Sequence, residues 1–188
     1  MATQKTTEKW KLKKWFSVYA PKIFNEVVIA EIPANDEKGL VGKNLKVSLD
    51  SLTHNPQNSY TNIYFKITGV DGSKVKTRIV KIEILFSYLR SLVRRYRSIS
   101  SSVLKASSKD NVSIIVKPVV ITAKKETHSR ISGIRKEMNQ FLEGYISENN
   151  YDEIIGSVID GKLQAQIYNK INHIAKLSKV EIRKLEIK

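Results

Sequence analysis

The sequence contains no cysteine, which excludes disulfides, thiolate nucleophiles, iron–sulfur clusters and cysteine-based zinc sites together. It also lacks a long apolar run, a low-complexity tract and a repeat of solenoid length. Residues 1–14 are polar and basic with no apolar stretch behind them, so the sequence predicts neither a secretory signal nor a membrane-spanning helix. We therefore expect a soluble intracellular protein with no membrane partner.

Acidic residues are scarce relative to basic ones. The 188 residues include 33 Lys and Arg but only 18 Asp and Glu, which gives a formal net charge of +15. This excess is far larger than solubility requires, and it indicates a large anion as partner. Apolar residues make up 41% of the chain, so the charge is carried by a folded core and not by a disordered polymer.

Residues suited to catalysis are few and scattered. His54, His128 and His173 lie far apart and show no metal-binding spacing, and no Gly-x-Ser-x-Gly nucleophile motif occurs. The adjacent carboxylates Asp152 and Glu153 stand where a helix is expected to begin, and there they fit the helix dipole better than acid–base chemistry. We expect no enzyme activity, no metal and no cofactor.

Most of the first two thirds of the chain has the alternating pattern of strands. Apolar runs at residues 27–32 and 45–49 predict two strands, and two alternating runs across Asp71-Gly72 predict a hairpin over residues 62–79. The alternation changes phase at Ile79-Val80, as a bulge or sharp bend would require. Residues 99–108 and 112–123 predict a second strand pair, with the latter strand central and Pro118 at an edge, a bulge or the strand's end.

Helical spacing appears in two parts of the sequence. Residues 86–96 predict a helix with an apolar stripe running from Phe86 to Tyr96 and with arginines off that stripe. In the last third, three further stripes predict a long helix over 131–145, a short one over 154–159 and a third over 163–174, before a closing strand at 180–187.

This order of elements predicts an α+β fold, with a curled, mostly antiparallel β-sheet or a barrel and with flanking helices. We expect a basic N-terminal arm over 1–14 and a single α+β domain over 15–188. That domain is strand-rich over 15–125 and helix-rich over 126–177, and it closes with a strand over 179–187.

The basic residues occur in several blocks, and arginines and lysines interleaved with aromatic rings are typical of RNA-binding surfaces. Any single block could equally be a solvated face, but that explanation does not account for the total charge. Trp15 would stack on an unpaired base or pin the arm to the core, and both alternatives stay open. The residues predicted to bind RNA are Lys11, Lys13, Lys14, Trp15, Lys74, Lys76, Arg78, Arg90, Arg94, Arg95, Arg97, Lys124, Lys125, Arg130, Arg135 and Lys136.

Four blocks of sequence stand out along the chain. They are Lys13-Lys14-Trp15-Phe16-Ser17-Val18-Tyr19-Ala20-Pro21-Lys22-Ile23-Phe24-Asn25; Gly39-Leu40-Val41-Gly42 with Val47-Ser48-Leu49-Asp50-Ser51-Leu52; Leu92-Val93-Arg94-Arg95-Tyr96; and Ile131-Ser132-Gly133-Ile134-Arg135-Lys136-Glu137-Met138. In this order, the blocks resemble the S3Ae (eS1) family of archaeal and eukaryotic small-subunit ribosomal proteins. The similarity runs from about Lys13 to Lys188, and the compact loops resemble archaeal members.

The resemblance implies a specific role. Proteins of this family are structural constituents of the small ribosomal subunit in the cytoplasm, built around a β-barrel with flanking helices, and they are not enzymes. They bind rRNA and neighbouring ribosomal proteins on the platform, near the mRNA exit region and the 3′ end of the small-subunit rRNA. They also lie close to mRNA and initiation factors.

Two other hypotheses remain. The chain could be an RNA-binding accessory module of an RNA-modifying enzyme, or a freestanding nucleic-acid-binding regulator. Either would leave a pool of protein free of the ribosome, whereas a structural ribosomal protein would sediment with the small subunit.

Overall fold

The computed structural model describes residues 13–37 and 39–187 and, within them, every side chain but that of Gln57. These residues form five α-helices, two short 3₁₀ helices (Lys22–Phe24 and Pro56–Asn58) and nine strands. Most strands are paired antiparallel, which confirms the α+β prediction. The chain divides into two compact units. The first comprises the described residues of Met1–Asn58 and Ile63–Val80, and the second comprises those of Ser59–Asn62 and Lys81–Lys188.

The first unit is built mainly from strands. It contains β1 (Lys14–Tyr19), β2 (Val28–Ala34), β3 (Asn44–Ser48) and the short helix α1 (Leu49–Thr53), with most of β4 (Thr61–Asp71) and the start of β5 (Lys74–Ile84). Strand β1 pairs with β2 antiparallel and with β5 in parallel, and β4 pairs with β3 and β5. The strand order is therefore β2-β1-β5-β4-β3, which has two ends and is an open sheet.

One face of this sheet covers a small apolar core. Phe16 and Val18 of β1 are buried with Val75 of β5, Ile67 of β4 and Leu40. Because successive strand residues point to opposite faces, the residues between them lie on the other, outer face. The predicted β4–β5 hairpin is confirmed, and Gly72 at its turn has φ +61°, a conformation that glycine adopts without a steric penalty.

The second unit combines a sheet with three of its helices. Strand β9 (Leu177–Ile187) lies between the end of β5 and β8 (Ser113–Thr122), and the other edge of β8 pairs with β6 (Ile99–Ser101) and β7 (Leu104–Ser107). This sheet is also open. Of the two predicted alternatives, a mostly antiparallel sheet and a barrel, the structure shows the sheet. The central position of β8 is confirmed, and a register shift at Lys117/Pro118 accommodates the proline.

Three helices pack beside this sheet. Helix α3 (His128–Glu148) packs against β6 and β7, α5 (Lys162–Ile171) packs against β9, and α4 (Tyr151–Ile159) packs against α5. The predicted stripe of α3 is buried at Ile134, Met138 and Leu142. At the start of α4, the backbone N–H of Asn150 donates to Glu153 at 3.1 Å, which supports the structural interpretation of that carboxylate.

Two expectations for local structure were wrong. The helix predicted over residues 86–96 is only seven residues long, α2 (Phe86–Leu92), and Leu89 is its one buried residue. Strand β1 is not predicted either, because the first strand expected from the sequence begins at residue 27. The single domain over 15–188 stays a prediction, as does the arm, of which residues 1–12 lie outside the described part of the chain.

Candidate nucleic-acid interface

The densest group of exposed cations and aromatic rings follows β5 in the second unit. Helix α2 begins at Phe86, ends at Leu92, and is followed by a turn at Arg95-Tyr96. We name this group the α2 surface and define it as Phe86, Arg90, Arg94, Arg95 and Tyr96. All five residues are exposed, and Phe86 and Tyr96 expose 61% and 82% of their surface, respectively.

The arginines of the α2 surface are available to an external anion. Among the described residues, the guanidinium groups of Arg94 and Arg95 form no ion pair or hydrogen bond, and that of Arg90 lies 4.7 Å from the centre of the Phe86 ring. A guanidinium over an exposed ring forms a planar cationic and aromatic platform, which suits a phosphate or an unstacked base. This chemistry matches single-stranded RNA.

The backbone of Tyr96 is unusual for its residue type. Its φ is +62°, in the left-handed region that residues other than glycine rarely occupy, and its ring is held outward with little packing. This conformation costs roughly 1–3 kcal/mol, and little side-chain burial offsets the cost. Such a residue is typical of a site shaped for a partner.

A second aromatic group lies beside the α2 surface. The rings of Tyr60 and Tyr88 stack with centres 4.4 Å apart, and Lys179 contacts both the Tyr88 hydroxyl and Glu181. Burial lowers the pKa of Lys179, but its hydrogen bonds with Tyr88 and Glu181 outweigh that effect and raise the pKa above the usual value of 10.5. Lys179 therefore stays charged at neutral pH, with its charge partly neutralised by Glu181.

Arg97 does not belong to the α2 surface. Its guanidinium donates to the Ser178 hydroxyl at 2.9 Å, which attaches it to β9. The next residue, Ser98, joins a network around the buried Thr122: the Ser98 N–H donates to Thr122 Oγ1 at 2.9 Å, and this hydroxyl donates to the Lys124 carbonyl at 2.6 Å. The network holds Arg97 and Lys124 in neighbouring segments.

Replacing Thr122 with Val tests this network. The variant keeps the side-chain shape but leaves the Ser98 N–H and the Lys124 carbonyl without that partner, so the free energy of unfolding should fall by about 1–3 kcal/mol. Urea denaturation measures the change. Thr68→Val is the control, since that exposed hydroxyl makes one 3.3 Å bond and its loss should cost under about 0.5 kcal/mol. Equal losses in the two variants would contradict a structural role for the network.

The cations around the start of α3 form a third group. Lys124, Lys125, Arg130, Arg135 and Lys136 are all exposed, on the loop after β8 and on the outer side of α3. Arg130 pairs at 2.9 Å with Glu126, which precedes the helix. The Arg130 side chain is 60% exposed in this pair, so its guanidinium is still able to contact a phosphate.

In the first unit, the outer face of the sheet carries the remaining predicted residues. Trp15 and Tyr19 of β1 lie on this face with Lys74, Lys76 and Arg78 of β5, and these five residues define the β5 face. Lys74 Nζ lies 5.6 Å from the centre of the Tyr19 ring, and Trp15 is 60% exposed. The same arrangement of cations and rings therefore occurs in both units.

Part of the charge on the β5 face is neutralised. Lys76 Nζ pairs with Asp71 at 2.5 Å, and the hydrogen bond and charge of this carboxylate raise the pKa of Lys76. Lys13 and Lys14 stand at the start of β1, where Lys14 is exposed, and Lys11 lies outside the described residues. The structure thus places most of the described residues predicted to bind RNA on the β5 face of the first unit and, within the second unit, on the α2 surface and around the start of α3.

Another set of charges in the second unit is balanced. Lys184 of β9 lies opposite Lys117 of β8 and Glu83 of β5, and it pairs with Glu186 at 2.6 Å. Glu83 in turn pairs with Lys81. Alternating charges on one sheet face neutralise one another, so this ladder is a poor binding surface for a polyanion.

Sequence reasoning missed several residues of these surfaces. The sequence places Phe86 and Tyr96 on an apolar stripe, although both are exposed, and it gives no indication of Tyr60 or Tyr88. Lys179 belongs to a basic block near the end of the chain but is not among the residues predicted to bind RNA. Lys66 was also missed, although its position between the inward-facing Phe65 and Ile67 of β4 indicated an exposed lysine. No sequence signal places Tyr60 beside Tyr88, because that contact depends on the tertiary fold.

The three histidines lie at or near the ends of helices. His54 follows the end of α1 in a left-handed conformation, His128 is the first residue of α3, and His173 lies 3.3 Å from Glu137. Within residues 13–37 and 39–187, no group of three or more His, Asp or Glu is placed to hold a metal ion. In the same part of the chain, no helix is long and apolar enough to cross a membrane.

These features define a class: a strongly basic α+β protein whose exposed cations stand beside exposed aromatic rings. The model of the Ribosomal S3Ae family matches residues 1–188, and the chain belongs to this family. It is accordingly a structural ribosomal protein and not an enzyme, and it is cytoplasmic in the ribosome.

Relatives agree with this assignment. The small ribosomal subunit protein eS1 of Saccharolobus islandicus (strain L.S.2.15 / Lassen #1) is 36% identical over 180 residues, covering 96% of this chain and 86% of the relative. The eS1 protein of Saccharolobus solfataricus has the same identity and coverage. The eS1 protein of Sulfurisphaera tokodaii is 34% identical over 180 residues, covering 96% of this chain and 93% of the relative. These organisms are archaea, which confirms the predicted archaeal character.

Proposed function

We propose that the chain binds rRNA on the platform of the small ribosomal subunit, near the mRNA exit region, and supports translation from there. The observation that carries the RNA contact is the α2 surface, where two guanidiniums without described partners stand beside an 82% exposed tyrosine. The family resemblance supports the platform location, and the relatives' names specify the small subunit alone. Neighbours there are other ribosomal proteins of the platform, mRNA and initiation factors.

The proposed RNA contacts differ in kind between the three surfaces. The α2 surface offers stacking as well as charge, so we assign it to unpaired nucleotides. The cations around α3 offer charge alone and suit the phosphates of a helix. On the β5 face, Lys74 contributes more than Lys76, whose charge is neutralised by Asp71. Trp15, which is 60% exposed, is assigned to stacking.

The RNA-binding residues proposed are those that the sequence indicated, now assigned to surfaces. They are Lys11, Lys13 and Lys14 at the beginning of the chain; Trp15, Lys74, Lys76 and Arg78 on the β5 face; Arg90, Arg94 and Arg95 on the α2 surface, with Arg97 beside it; and Lys124, Lys125, Arg130, Arg135 and Lys136 around α3.

Site-specific photocrosslinking in assembled small subunits tests this function. The photoreactive residue p-benzoylphenylalanine replaces Phe86 in one variant and Tyr96 in another, and Glu143, which is exposed on α3, in a control. We expect the first two positions to form adducts with small-subunit rRNA close to its 3′ end, at a yield well above that of the control. Adducts at positions 86 and 96 to protein alone would contradict the proposal, and adducts to RNA far from the 3′ end would contradict the location.

A further inference from the structure

The edge of the first unit formed by β2 differs from the rest of that unit in its charge. Residues 26–37 contain four carboxylates and no Lys or Arg, in a protein of net charge +15. The carboxylates are Glu26, Glu31, Asp36 and Glu37, and all four are exposed. We name residues 26–37 the β2 edge.

The backbone of the β2 edge is open to a partner. Strand β2 pairs with β1 on one side and, among the described strands, with none on the other. An outer strand presents unpaired N–H and C=O groups at every second residue, and these can hydrogen-bond to another extended segment. Val27 and Val28 at its beginning are 46% and 48% exposed, so apolar surface accompanies the free backbone.

The carboxylates of the β2 edge are not neutralised by the protein itself. Within the described part of the chain, none of the four lies in an ion pair within 4 Å, although Glu26 is close enough to Lys76 to raise the pKa of that lysine slightly. Glu31 lies opposite Ser17 of β1 and thus on the same outer face as Lys74 and Lys76. Charge on this face therefore changes sign between β5 and β2.

This combination selects one kind of occupant. RNA is disfavoured, because four carboxylates repel phosphates and exposed valines gain nothing from them. A second copy paired edge to edge would bring two acidic segments together, which like-charge repulsion opposes. An extended basic polypeptide satisfies the backbone, covers the valines and pairs with the carboxylates.

We propose that the β2 edge is a protein-docking site, and that its occupant is an extended, basic segment of a neighbouring ribosomal protein, added to the sheet as a strand next to β2. This surface separates protein contacts from RNA contacts within the first unit, since the β5 face carries the cations and the β2 edge the carboxylates. The inference does not depend on the RNA contacts proposed for the α2 surface.

Photocrosslinking from position 28 provides the first test. A variant with p-benzoylphenylalanine in place of Val28 is assembled into small subunits and irradiated, and the adducts are identified by mass spectrometry. We expect an adduct to a segment of another ribosomal protein that carries a net positive charge. Adducts to rRNA, to a second copy of this chain or to residues 1–12 of the same chain would each overturn the proposal, as would the absence of any adduct.

Charge reversal provides the second test. Glu26→Lys combined with Glu31→Lys should reduce the yield of that adduct roughly tenfold, because two attractive pairs become repulsive. The matched control reverses two exposed carboxylates on α3, Glu143→Lys with Glu148→Lys, and should leave the yield unchanged. Equal yields in the reversed and control variants would overturn the role of charge at this edge. The same charge reversals are also made in the variant that carries p-benzoylphenylalanine at position 86. Its RNA adducts distinguish a failure of RNA binding from a failure of docking.

Discussion

Replacing Arg90, Arg94 and Arg95 together with Ala is expected to weaken binding to small-subunit rRNA by about a hundredfold at about 0.1 M salt. This is the larger of the two effects expected at the α2 surface. Each arginine that neutralises a phosphate releases counterions, so the slope of log affinity against log salt should become shallower by roughly 2–3. Arg97 stays in place, because its bond to Ser178 gives it a structural role. Filter binding over a series of salt concentrations measures both quantities.

The control for this variant removes the same charge elsewhere. Lys109, Lys162 and Lys170 are exposed in the second unit, and Lys162 already pairs with Asp160 at 2.7 Å. Their joint replacement with Ala also removes three positive charges, from residues that belong neither to α2 nor to the turn after it. We expect a much smaller change in salt slope. If both triple variants change the slope equally, the charge acts through the whole protein and the α2 surface is not a binding site.

Replacing Tyr96 with Gly should weaken rRNA binding without weakening the fold. A base stacked on an aromatic ring contributes about 1–3 kcal/mol, so affinity should fall by roughly 5- to 100-fold with the salt slope unchanged. Because φ is +62° at this position and the ring is largely exposed, glycine relieves the backbone and little packing is lost. The free energy of unfolding should therefore stay the same or rise.

Tyr96→Phe is the companion variant, because it retains the ring and removes only the hydroxyl. It should bind rRNA as the unmodified chain does. Loss of affinity in Tyr96→Phe as large as in Tyr96→Gly would assign the effect to the hydroxyl and contradict stacking. Unchanged affinity in Tyr96→Gly would show that the Tyr96 ring does not contribute to rRNA binding.

The elements that sequence predicted well are those specified by local periodicity. The β4–β5 hairpin depends on Gly72 between two alternating runs, and α3 depends on an apolar stripe through Ile134 and Met138; both are observed. Pro118 required an irregularity in β8, and a register shift occurs there. In each case a few neighbouring residues contain the whole signal.

The elements that sequence missed depend on distant partners or on weak local preferences. In β1, only Phe16 and Val18 point inward, and the strand is stabilised by pairing with β2 and β5, which the local sequence does not reveal. Helix α2 stops early because Val93 is extended and Tyr96 is left-handed, in a stretch with no Gly or Pro to mark the end. The predicted stripe therefore extended too far and assigned exposed rings to the core.

For the candidate site, the sequence identified the cationic residues but not which of them are paired with other side chains. It could not show that Lys76 is neutralised by Asp71, that Arg97 is bound to Ser178, or that Arg94 and Arg95 have no described partner. These distinctions depend on side-chain neighbours brought together by folding. The acidic character of residues 26–37 was visible in the sequence, but its meaning depends on β2 being an outer strand.

The position of β9 also determines when the second unit can fold. Strand β9 lies between β5 and β8, and Lys81 of β5 pairs with Glu186, roughly a hundred residues further along the chain. The β4–β5 hairpin can form soon after its residues are synthesised, whereas the sheet of the second unit stays incomplete until β9 has been made. Closing so long a loop is slow and exposes apolar strands in the meantime. The second unit can therefore finish folding only after β9 has been synthesised.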